Sequence, residues 1–238
     1  MSPLCKSTSW PWKGWVTVAY DMNILRPDNL VFPNLQTANR EGLLALGGDL
    51  SVPRLLLAYR SGIFPWTDEP LTWWSPDPRA IFELDQFHPP RRLEPKLRRN
   101  PFKITFDLDF SAVIHACAEP GLGRESTWIS PRFIAAYLEL HRQGHAHSVE
   151  VWEGEALVGG IYGVGIAGFF AGESMFHRVT DASKIALCHL IEHLRGRKFE
   201  LFDTQVLSPL TARLGAVEIR RRDYLERLEL ALRIPTQF

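Results

Sequence analysis

The segment from residue 166 to residue 206 constrains the fold most, because it places one amphipathic helix between two apolar strands. Ile166 to Met175 and Phe199 to Val206 have the apolar content of buried strands, and Asp181 to Leu194 repeats apolar residues at helical spacing. Just upstream, Ser148 to Trp152 and Ala156 to Val164 flank a Glu-Gly-Glu turn, which predicts an antiparallel hairpin. Antiparallel strands followed by a strand–helix–strand crossover predict an α+β or mixed α/β fold.

The N-terminal part of the chain has a different pattern. Ser51 and Pro53 begin a predicted helix that Gly62 ends, and a Pro- and Trp-rich loop then leads to a short strand from Ala80 to Leu84. We place a domain boundary near residue 85, which separates an N-terminal extension (1–25) and a small domain (26–85) from a larger domain (86–238). The larger domain is also expected to contain strands at Lys103–Phe106 and Val217–Arg220, and helices at Phe110–Ala118, Ser130–Leu140, Ser208–Gly215 and Asp223–Leu232.

Composition argues against several classes of protein. The 238 residues carry 27 basic and 27 acidic side chains, so the net charge is zero and a polyanionic partner would need a local basic patch. Cys5, Cys117 and Cys188 are scattered, which argues against a disulfide framework and fits a reducing compartment. No apolar run approaches a membrane span, and the first 24 residues lack the apolar core of a secretory signal. We therefore expect a cytoplasmic protein without a membrane partner.

Isolated polar side chains interrupt both apolar strands of the crossover. Glu173 lies within Gly172–Phe176, and Asp203 and Gln205 lie within Leu201–Gln205. A buried polar group costs free energy unless it is paired, so these residues form either a satisfied internal network or a site that holds a partner. The strands by themselves leave both interpretations open.

A local basic run lies at the start of the larger predicted domain. Between His88 and Lys103, Glu94 is the single acid among six basic residues. These basic residues are Arg91, Arg92, Lys96, Arg98, Arg99 and Lys103. Such a run either contacts the phosphates of a polyanion or forms a solvated linker.

Four tryptophans lie in segments with the composition of loops, namely Trp66, Trp73, Trp74 and Trp128. A loop tryptophan can stack on a nucleobase, which is worth roughly 1–3 kcal/mol per base, although packing into a core is the commoner role. Combined with the basic run, the tryptophans favour the single-stranded end of a nucleic acid over a duplex.

Other catalytic patterns are weak in this sequence. His141, His145 and His147 have no acid or cysteine placed as a further ligand, so we expect hydrogen-bonded structural histidines rather than a metal site. Ser174 lacks the second glycine of a nucleophile elbow, which argues against a serine hydrolase. The sequence also contains no Walker-type loop and no Gly-x-Gly-x-x-Gly, so nothing indicates ATP or NAD.

Together these segments resemble the leucyl/phenylalanyl-tRNA–protein transferase family. The resemblance runs from about Phe32 to the end of the chain and leaves the first 24 residues unmatched. The matching segments are Gly42–Ser51, Gly62–Trp66, Trp73–Arg79, Thr127–Ile129, Gly144–Trp152, Leu157–Gly160, Gly172–Phe176, Ala182–Lys184, Phe202–Val206, Leu214–Ala216 and Arg221–Tyr224.

The resemblance implies both a fold and an activity. It implies a small N-terminal α/β domain and a C-terminal domain of the acetyltransferase-like (GNAT) fold. It also implies transfer of Leu or Phe, and by tolerance Met, from aminoacyl-tRNA to the α-amine of proteins that begin with Arg or Lys, which marks them for degradation. No cofactor is expected. The segment Arg178–Lys184 before the corresponding helix has no glycine, unlike the pyrophosphate loop of acetyl-CoA enzymes, which agrees with a donor other than CoA.

The resemblance further implies roles for individual residues. Glu173, Asp203 and Gln205 match the polar catalytic site, and Trp66 and Trp128 match the aromatic residues around the terminal adenosine. The apolar pocket for the donor side chain corresponds to Ile161, Phe170, Met175, Leu187, Leu190 and Phe202. The contacts to the tRNA phosphates correspond to Arg91, Arg92, Lys96, Arg98 and Arg99.

These roles define a mechanistic hypothesis. The reaction is aminolysis of an activated ester, so we expect Asp203 to orient the attacking amine and Gln205 to hold the amine or the carbonyl oxygen. Asp203 or the tRNA's own 2′-hydroxyl is expected to relay the proton, and Glu173 to order the network or pair with the acceptor's cation. We expect the protein to act as a monomer. Three alternatives remain open: a CoA-dependent N-acyltransferase, a non-catalytic RNA-end binding module, and a transferase for a different N-terminal acceptor.

Overall fold

The computed structural model describes residues 23–99, 101–120 and 127–238. The expectation of an unmatched N-terminal extension falls mainly on residues 1–22, which lie outside the described residues. Within the described ranges, no helix has both the length and the apolar character needed to cross a bilayer.

The elements alternate between strands and helices along the chain. The first part contains β1 (Asn23–Leu25), β2 (Leu43–Gly47), α1 (Val52–Arg60), β3 (Phe64–Asp68), β4 (Leu71–Trp74) and β5 (Arg79–Phe82). The middle part contains α2 (Glu94–Arg99), β6 (Lys103–Phe106), α3 (Phe110–Ala118), α4 (Pro131–Arg142), β7 (Ala146–Glu153) and β8 (Ala156–Ile166). The last part contains β9 (Phe169–His177), α5 (Ala182–Gly196), β10 (Leu201–Gln205), α6 (Pro209–Arg213), β11 (Val217–Ile219) and α7 (Arg221–Ala231).

These strands form two mixed sheets. The smaller sheet has the order β1-β2-β4-β3, with β1 parallel to β2 and the other pairs antiparallel. The larger sheet has the order β11-β5-β10-β9-β8-β7-β6, in which β9 and β10 are the parallel pair, joined by the crossover helix α5. The mixed α/β class expected from the sequence is therefore confirmed.

Local sequence signals account for several helix ends. The Ser130 side chain accepts the amide N–H of Phe133 at the start of α4, and Asp109 caps α3 in the same way. Ser208 and Thr211 form a reciprocal capping box around α6. The predicted helices begin at or within about two residues of their observed starts. For α3, α4 and α6 the caps explain this agreement, because they satisfy amide groups that the helix itself leaves unpaired; Ser51 makes no such side-chain bond at the start of α1.

The predicted loop between Gly62 and Arg79 is wrong. This segment forms the β3–β4 hairpin, in which Phe64 and Trp74 are register partners. Trp73 is fully buried and donates its indole N–H to the carbonyl oxygen of Gly47 at 2.9 Å. Three of the predicted loop tryptophans thus lie on strands. The proline-rich composition of the segment predicted a loop, but pairing between strands can bury aromatic rings in such a segment.

The change from one sheet to the other occurs before the predicted boundary near residue 85. β4 ends at Trp74 in the smaller sheet, whereas β5, which begins at Arg79, pairs with β10 and β11 in the larger sheet. The boundary near residue 85 stays a prediction. Strand β5 precedes this boundary in the chain and yet belongs to the larger sheet.

The larger sheet packs against helices on both faces. Helices α3 and α4 cover one face with a core that includes Phe133 and Tyr162 and continues into the small N-terminal unit. Helix α5 covers the other face with a core that includes Leu187 and Phe202. The edge of the sheet where β9 and β10 end therefore lies between two apolar layers.

The contact between β8 and α5 gives a stability prediction. A Cβ atom at Gly159 would lie 2.5 Å from the Cβ of Ala182, so Gly159→Ala forces the strand and the helix apart. We expect urea denaturation to show a loss of about 1–3 kcal/mol in the free energy of unfolding. The matched control is Gly196→Ala, whose new Cβ meets no atom within 4 Å; it should be neutral or slightly stabilising. Equal stability of the two variants would contradict this account of the contact.

Candidate functional site

The parallel strands β9 and β10 separate where the polar residues lie. Their pairing runs from Leu201 opposite Phe169 to Asp203 opposite Ala171 and stops there. Both strands carry an irregularity just beyond this point: Glu173 is an extra residue of β9 relative to β8, and Thr204 is an extra residue of β10 relative to β5. Bulges of this kind re-aim side chains and are frequent beside active sites.

Glu173 is the centre of a hydrogen-bond network at this opening. Its Oε1 accepts from the hydroxyl of Tyr59 at 2.9 Å and from Nε2 of Gln205 at 3.0 Å, while its Oε2 accepts from the hydroxyl of Tyr137 at 3.0 Å. The two tyrosine hydroxyls also contact each other. The network joins β9, β10, α1 and α4, so it depends on both structural units.

The surroundings of Glu173 favour its neutral form. Burial raises its pKa to about 7, against the opposing effect of hydrogen bonds from Tyr59 and Tyr137. Three oxygen–oxygen contacts connect Glu173 and the two phenols, which supply two protons between them. All three contacts are hydrogen bonds when Glu173 is protonated at Oε2 and donates to Tyr137, and Tyr137 then donates to Tyr59 instead of to Glu173. Burial and the Glu173 charge raise the pKa values of both tyrosines well above normal, so they remain donors.

Asp203 occupies a different environment from Glu173. Its carboxylate is fully buried and accepts from Nε and Nη2 of Arg79 at 2.9 and 2.7 Å, from the hydroxyl of Tyr224 at 2.9 Å, and from the backbone N–H of Gln205 at 2.9 Å. A carboxylate has about four acceptor positions, and these four donors fill them. The carboxylate therefore has a structural partner at each of its acceptor positions.

Asp203 also holds an unusual backbone conformation. Gln205 has a φ of 59°, in the left-handed region that residues with side chains seldom adopt. The hydrogen bond from the Gln205 N–H to Asp203 spans two residues and stabilises this turn. Strained backbone of this kind is found preferentially at functional sites, and here it turns the Gln205 amide toward Glu173.

The six residues expected to form the donor pocket lie in one apolar cluster. Five are buried, and Met175 packs against them as a partly buried member. The extra residue Glu173 explains how Phe170 and Met175 share a face, since strict alternation along β9 would place them on opposite faces. The cluster members are Ile161, Phe170, Met175, Leu187, Leu190 and Phe202.

Trp66 and Trp128 are both partly buried and lie on segments that meet. Trp66 is on β3, and its ring lies edge-on to Trp74 at 5.3 Å, while Trp128 lies edge-on to Phe133 at 5.2 Å. At the end of β3, Asp68 accepts a hydrogen bond from the Ser130 hydroxyl at the start of α4. This contact brings the two tryptophan-bearing segments together.

The basic run forms helix α2 and the turn before it. Four of its arginines, Arg91, Arg92, Arg98 and Arg99, are exposed. Lys96 differs, because its Nζ forms an ion pair with Asp181 at 2.6 Å, and Asp181 also pairs with Lys184. Lys96 thus attaches α2 to the start of α5, and the four arginines present an open positive surface.

The expectation of structural histidines is confirmed for two of the three. His141 Nδ1 lies 2.7 Å from the carbonyl oxygen of Ala146, and His147 Nδ1 lies 2.7 Å from Oδ2 of Asp107. In the part of the chain that the structure describes, no group of three or more His, Cys, Asp or Glu side chains is placed to hold a metal ion.

Sequence reasoning missed four residues of the site: Tyr59, Tyr137, Arg79 and Tyr224. Tyr59 and Tyr137 match the apolar periodicity of α1 and α4, so they read as core residues, and their hydroxyls have no sequence signal. Arg79 and Tyr224 lie within segments that carry the family resemblance, and this was the available hint that they matter.

Comparisons with known proteins identify the family. Two family models match: "Leucyl/phenylalanyl-tRNA protein transferase" over residues 81–229 and its N-terminal domain over residues 48–77. Curated relatives named leucyl/phenylalanyl-tRNA–protein transferase include those of Shewanella denitrificans, 52% identical over 79% of this chain and 80% of the relative, and of Oleidesulfovibrio alaskensis, 48% identical over 87% of each chain.

Solved structures give weaker likenesses. They include the L-PGS structure from Bacillus licheniformis, 11% identical, with a TM-score of 0.40 over 75% of this chain and 62% of that one. A GCN5-related N-acetyltransferase from Sphaerobacter thermophilus is 18% identical, with a TM-score of 0.35 over 76% of this chain and 58% of that one. These scores are too low to assign an activity. The family models and the curated relatives show that the chain belongs to the leucyl/phenylalanyl-tRNA–protein transferase family of aminoacyltransferases.

Proposed function

We propose that this protein transfers Leu or Phe, and through tolerance of its apolar pocket also Met, from aminoacyl-tRNA to the α-amine of proteins that begin with Arg or Lys. The product is a new peptide bond and an N-terminus that marks the acceptor for degradation. We place the activity in the cytoplasm, in a monomer. Family membership supports aminoacyl transfer, and the observation that carries the proposal is the Glu173–Gln205 pair at the opening between β9 and β10, two strands that also carry Phe170, Met175 and Phe202 of the apolar cluster.

The chemistry requires positioning and proton transfer. The aminoacyl ester is already activated, and an α-amine with a pKa near ~8 is partly neutral at pH 7. The amine nitrogen attacks the ester carbonyl, loses a proton, and expels the ribose 3′-oxygen, which gains one. No ATP and no cofactor is needed to balance this reaction, so the protein must align the reactants and accept and return a proton.

Gln205 is placed to align the amine. Its Nε2 donates to Glu173, so its carbonyl Oε1 points away from the carboxyl group and can accept an N–H of the attacking amine. A neutral amide is a very poor base, so Gln205 holds the amine without removing its proton. The left-handed turn supported by Asp203 maintains this orientation.

Glu173 is a better proton acceptor than Gln205 in this arrangement. A general base works best when its pKa lies near the working pH, and the pKa of Glu173 is about 7. When Glu173 accepts a proton, all three contacts among Glu173, Tyr59 and Tyr137 become hydrogen bonds. We therefore assign proton transfer to Glu173, and we give Asp203 a positioning role in place of the amine contact expected from sequence.

The apolar cluster is the proposed pocket for the donor side chain. Such a pocket separates substrates that differ by one methylene by only about 1–3 kcal/mol, so acceptance of Leu, Phe and Met is expected. We expect the shapes of Ile161 and Leu190 to influence the preference among these donors. Trp66 and Trp128 are proposed to hold the terminal adenosine. Arg91, Arg92, Lys96, Arg98 and Arg99, on α2 and the turn before it, are proposed to contact phosphates.

The decisive experiment measures transfer of radiolabelled Leu and Phe from charged tRNA to peptides that differ only in their first residue. Arg and Lys peptides should be labelled without ATP, and Asp and Ala peptides should not. Labelling of the Asp peptide would indicate a different acceptor. Tight tRNA binding without any transfer would favour an RNA-end binding module, and binding of CoA with acyl transfer would favour an N-acyltransferase.

Glu173→Gln tests proton transfer. We expect turnover to fall by roughly 10²–10⁴-fold above pH 7, with tRNA affinity nearly unchanged. The ratio of wild-type to variant turnover should rise as pH increases through about 7 and then level off, because Glu173 ionises there. The ratio cancels the effect of pH on the acceptor amine, because the same amine reacts with both proteins. A ratio that is flat with pH would rule out Glu173 as the base.

The Glu173→Gln variant also tests the raised pKa of Glu173 through the pH dependence of stability. The folded-state pKa of Glu173 is raised above its usual value of 4.5, so the folded protein binds this proton more tightly than the unfolded chain. The stability contributed by the proton is present below pH 4.5 and is lost as pH rises toward 7. The wild type should therefore lose up to ~3 kcal/mol relative to Glu173→Gln across this window in urea unfolding. A constant difference between the two proteins would contradict the raised pKa.

The exposed arginines of α2 give a salt-dependent prediction. Arg98→Ala with Arg99→Ala should weaken tRNA binding and lower the slope of log affinity against log salt by about 1–2, as expected for two lost phosphate contacts. The matched control is Arg233→Ala, an exposed arginine outside α2 that pairs with Glu229. An unchanged slope in the double variant would remove α2 from the tRNA site.

A further inference from the structure

Phe238 lies in an aromatic cluster behind the proposed donor pocket. Its ring stacks on His147 with a centroid distance of 4.4 Å and an interplanar angle of 18°, and it also contacts His193 at 4.4 Å. Phe106 in turn stacks on His193 at 4.4 Å. The Thr236 hydroxyl donates to the carbonyl oxygen of Arg197 at the end of α5, which holds this part of the chain against the larger sheet.

Phe238 also contacts the pocket residue Phe170. The two rings are nearly parallel, with an interplanar angle of 24° and a centroid distance of 5.6 Å. Phe202, another proposed pocket residue, meets the Phe170 ring edge-on at 5.6 Å, and Phe199 meets it at 6.3 Å. Among the ring contacts of the described residues, Phe170 is therefore the link between the proposed pocket and the aromatic cluster of Phe238.

The backbone of Gly163 lies against the tip of the Phe170 ring. A Cβ atom at Gly163 would lie 2.5 Å from Cε1 of Phe170, so the tip of the ring rests directly on the glycine. Gly163 bounds the tip of the ring, Phe202 and Phe199 contact it at steep angles, and Phe238 stacks on it, so loss of Phe238 opens space beside the ring. Aromatic rings in such a setting keep one rotamer only while their neighbours fill the adjacent space.

We propose that Phe238 is a specificity-determining residue, which fixes one wall of the donor pocket by packing against the ring of Phe170. This inference rests on the proposed function, because it takes the pocket to be the site of the Leu or Phe side chain. The residue touches no reacting atom and acts through Phe170, so it is a positioning residue. Its loss should deepen the pocket without removing any polar group of the Glu173–Gln205 site.

The test is Phe238→Ala in the full chain, with Leu-tRNA and Phe-tRNA competing for one Arg peptide. With the wall free to retreat, the larger donor gains relative to the smaller one. We expect the ratio of kcat/KM for Phe over Leu to rise at least ~3-fold, within the range that apolar pockets discriminate. A merely structural role would lower both values together and leave the ratio unchanged.

Phe106→Ala is the matched control. It removes an aromatic ring from the same cluster, and its ring contacts within the described residues are to His193 and Phe238 and not to Phe170. Its donor ratio should stay within twofold of the wild type. An equal rise in both variants, or no rise in Phe238→Ala, overturns the proposal.

If Phe238→Ala does not fold, as judged by thermal melting, then Phe238→Leu decides; it keeps apolar bulk but lacks the flat ring, so a smaller rise in the ratio is expected and no rise overturns the proposal. The wild type is measured first. Absence of transfer from both donors would refute the proposed function itself, whereas normal transfer with an unchanged ratio in the variants would refute only the role of Phe238.

Discussion

The buried ion pair between Arg79 and Asp203 holds the two structural units in their relative positions. Arg79 donates two hydrogen bonds to Asp203 on β10 and a third, at 3.0 Å, to the carbonyl oxygen of Gly62 in the small unit. Its guanidinium also lies over the rings of Phe64 and Tyr224, at 4.8 and 4.5 Å. One cation thus joins β5, β10, α7 and the start of β3, and both charged groups are almost inaccessible to water.

Such a pair is costly to bury and still more costly to break. Replacing a buried pair with apolar residues is often neutral, but removing one partner leaves an uncompensated charge and typically costs about 3–5 kcal/mol. The pair therefore matters more for positioning the groups around it than for the free energy of unfolding. Asp203 has an acceptor site left for the N–H of Gln205, and the left-handed turn at Gln205 depends on that bond.

The two irregularities where β9 and β10 stop pairing with each other convert this rigid frame into a candidate site. The extra residue on β9 turns Glu173 toward Tyr59 and Tyr137 and brings Met175 to the same face as Phe170. The extra residue on β10 turns Gln205 toward Glu173. The polar pair and the cluster members Phe170, Met175 and Phe202 consequently lie on the same two strands. Glu173 and Asp203 have different environments, which separates the proposed proton acceptor from the group that holds the backbone.

The sequence by itself determined the mixed α/β class, most helices and strands, and the segments that carry chemistry. These features depend on local periodicity, capping residues and short motifs, as at Ser130 and along the crossover helix α5. The tertiary structure alone decided which residues meet. Tyr59 and Tyr137, 78 positions apart, look like core residues in sequence, yet their hydroxyls converge on Glu173. The sequence also does not show that Asp203 has four donors within the protein, or that the segment after Gly62 forms the β3–β4 hairpin instead of a loop. Hydrogen bonds between distant residues, and one-residue shifts in strand register, leave no periodic trace in a sequence, because they arise only when separate elements pack together.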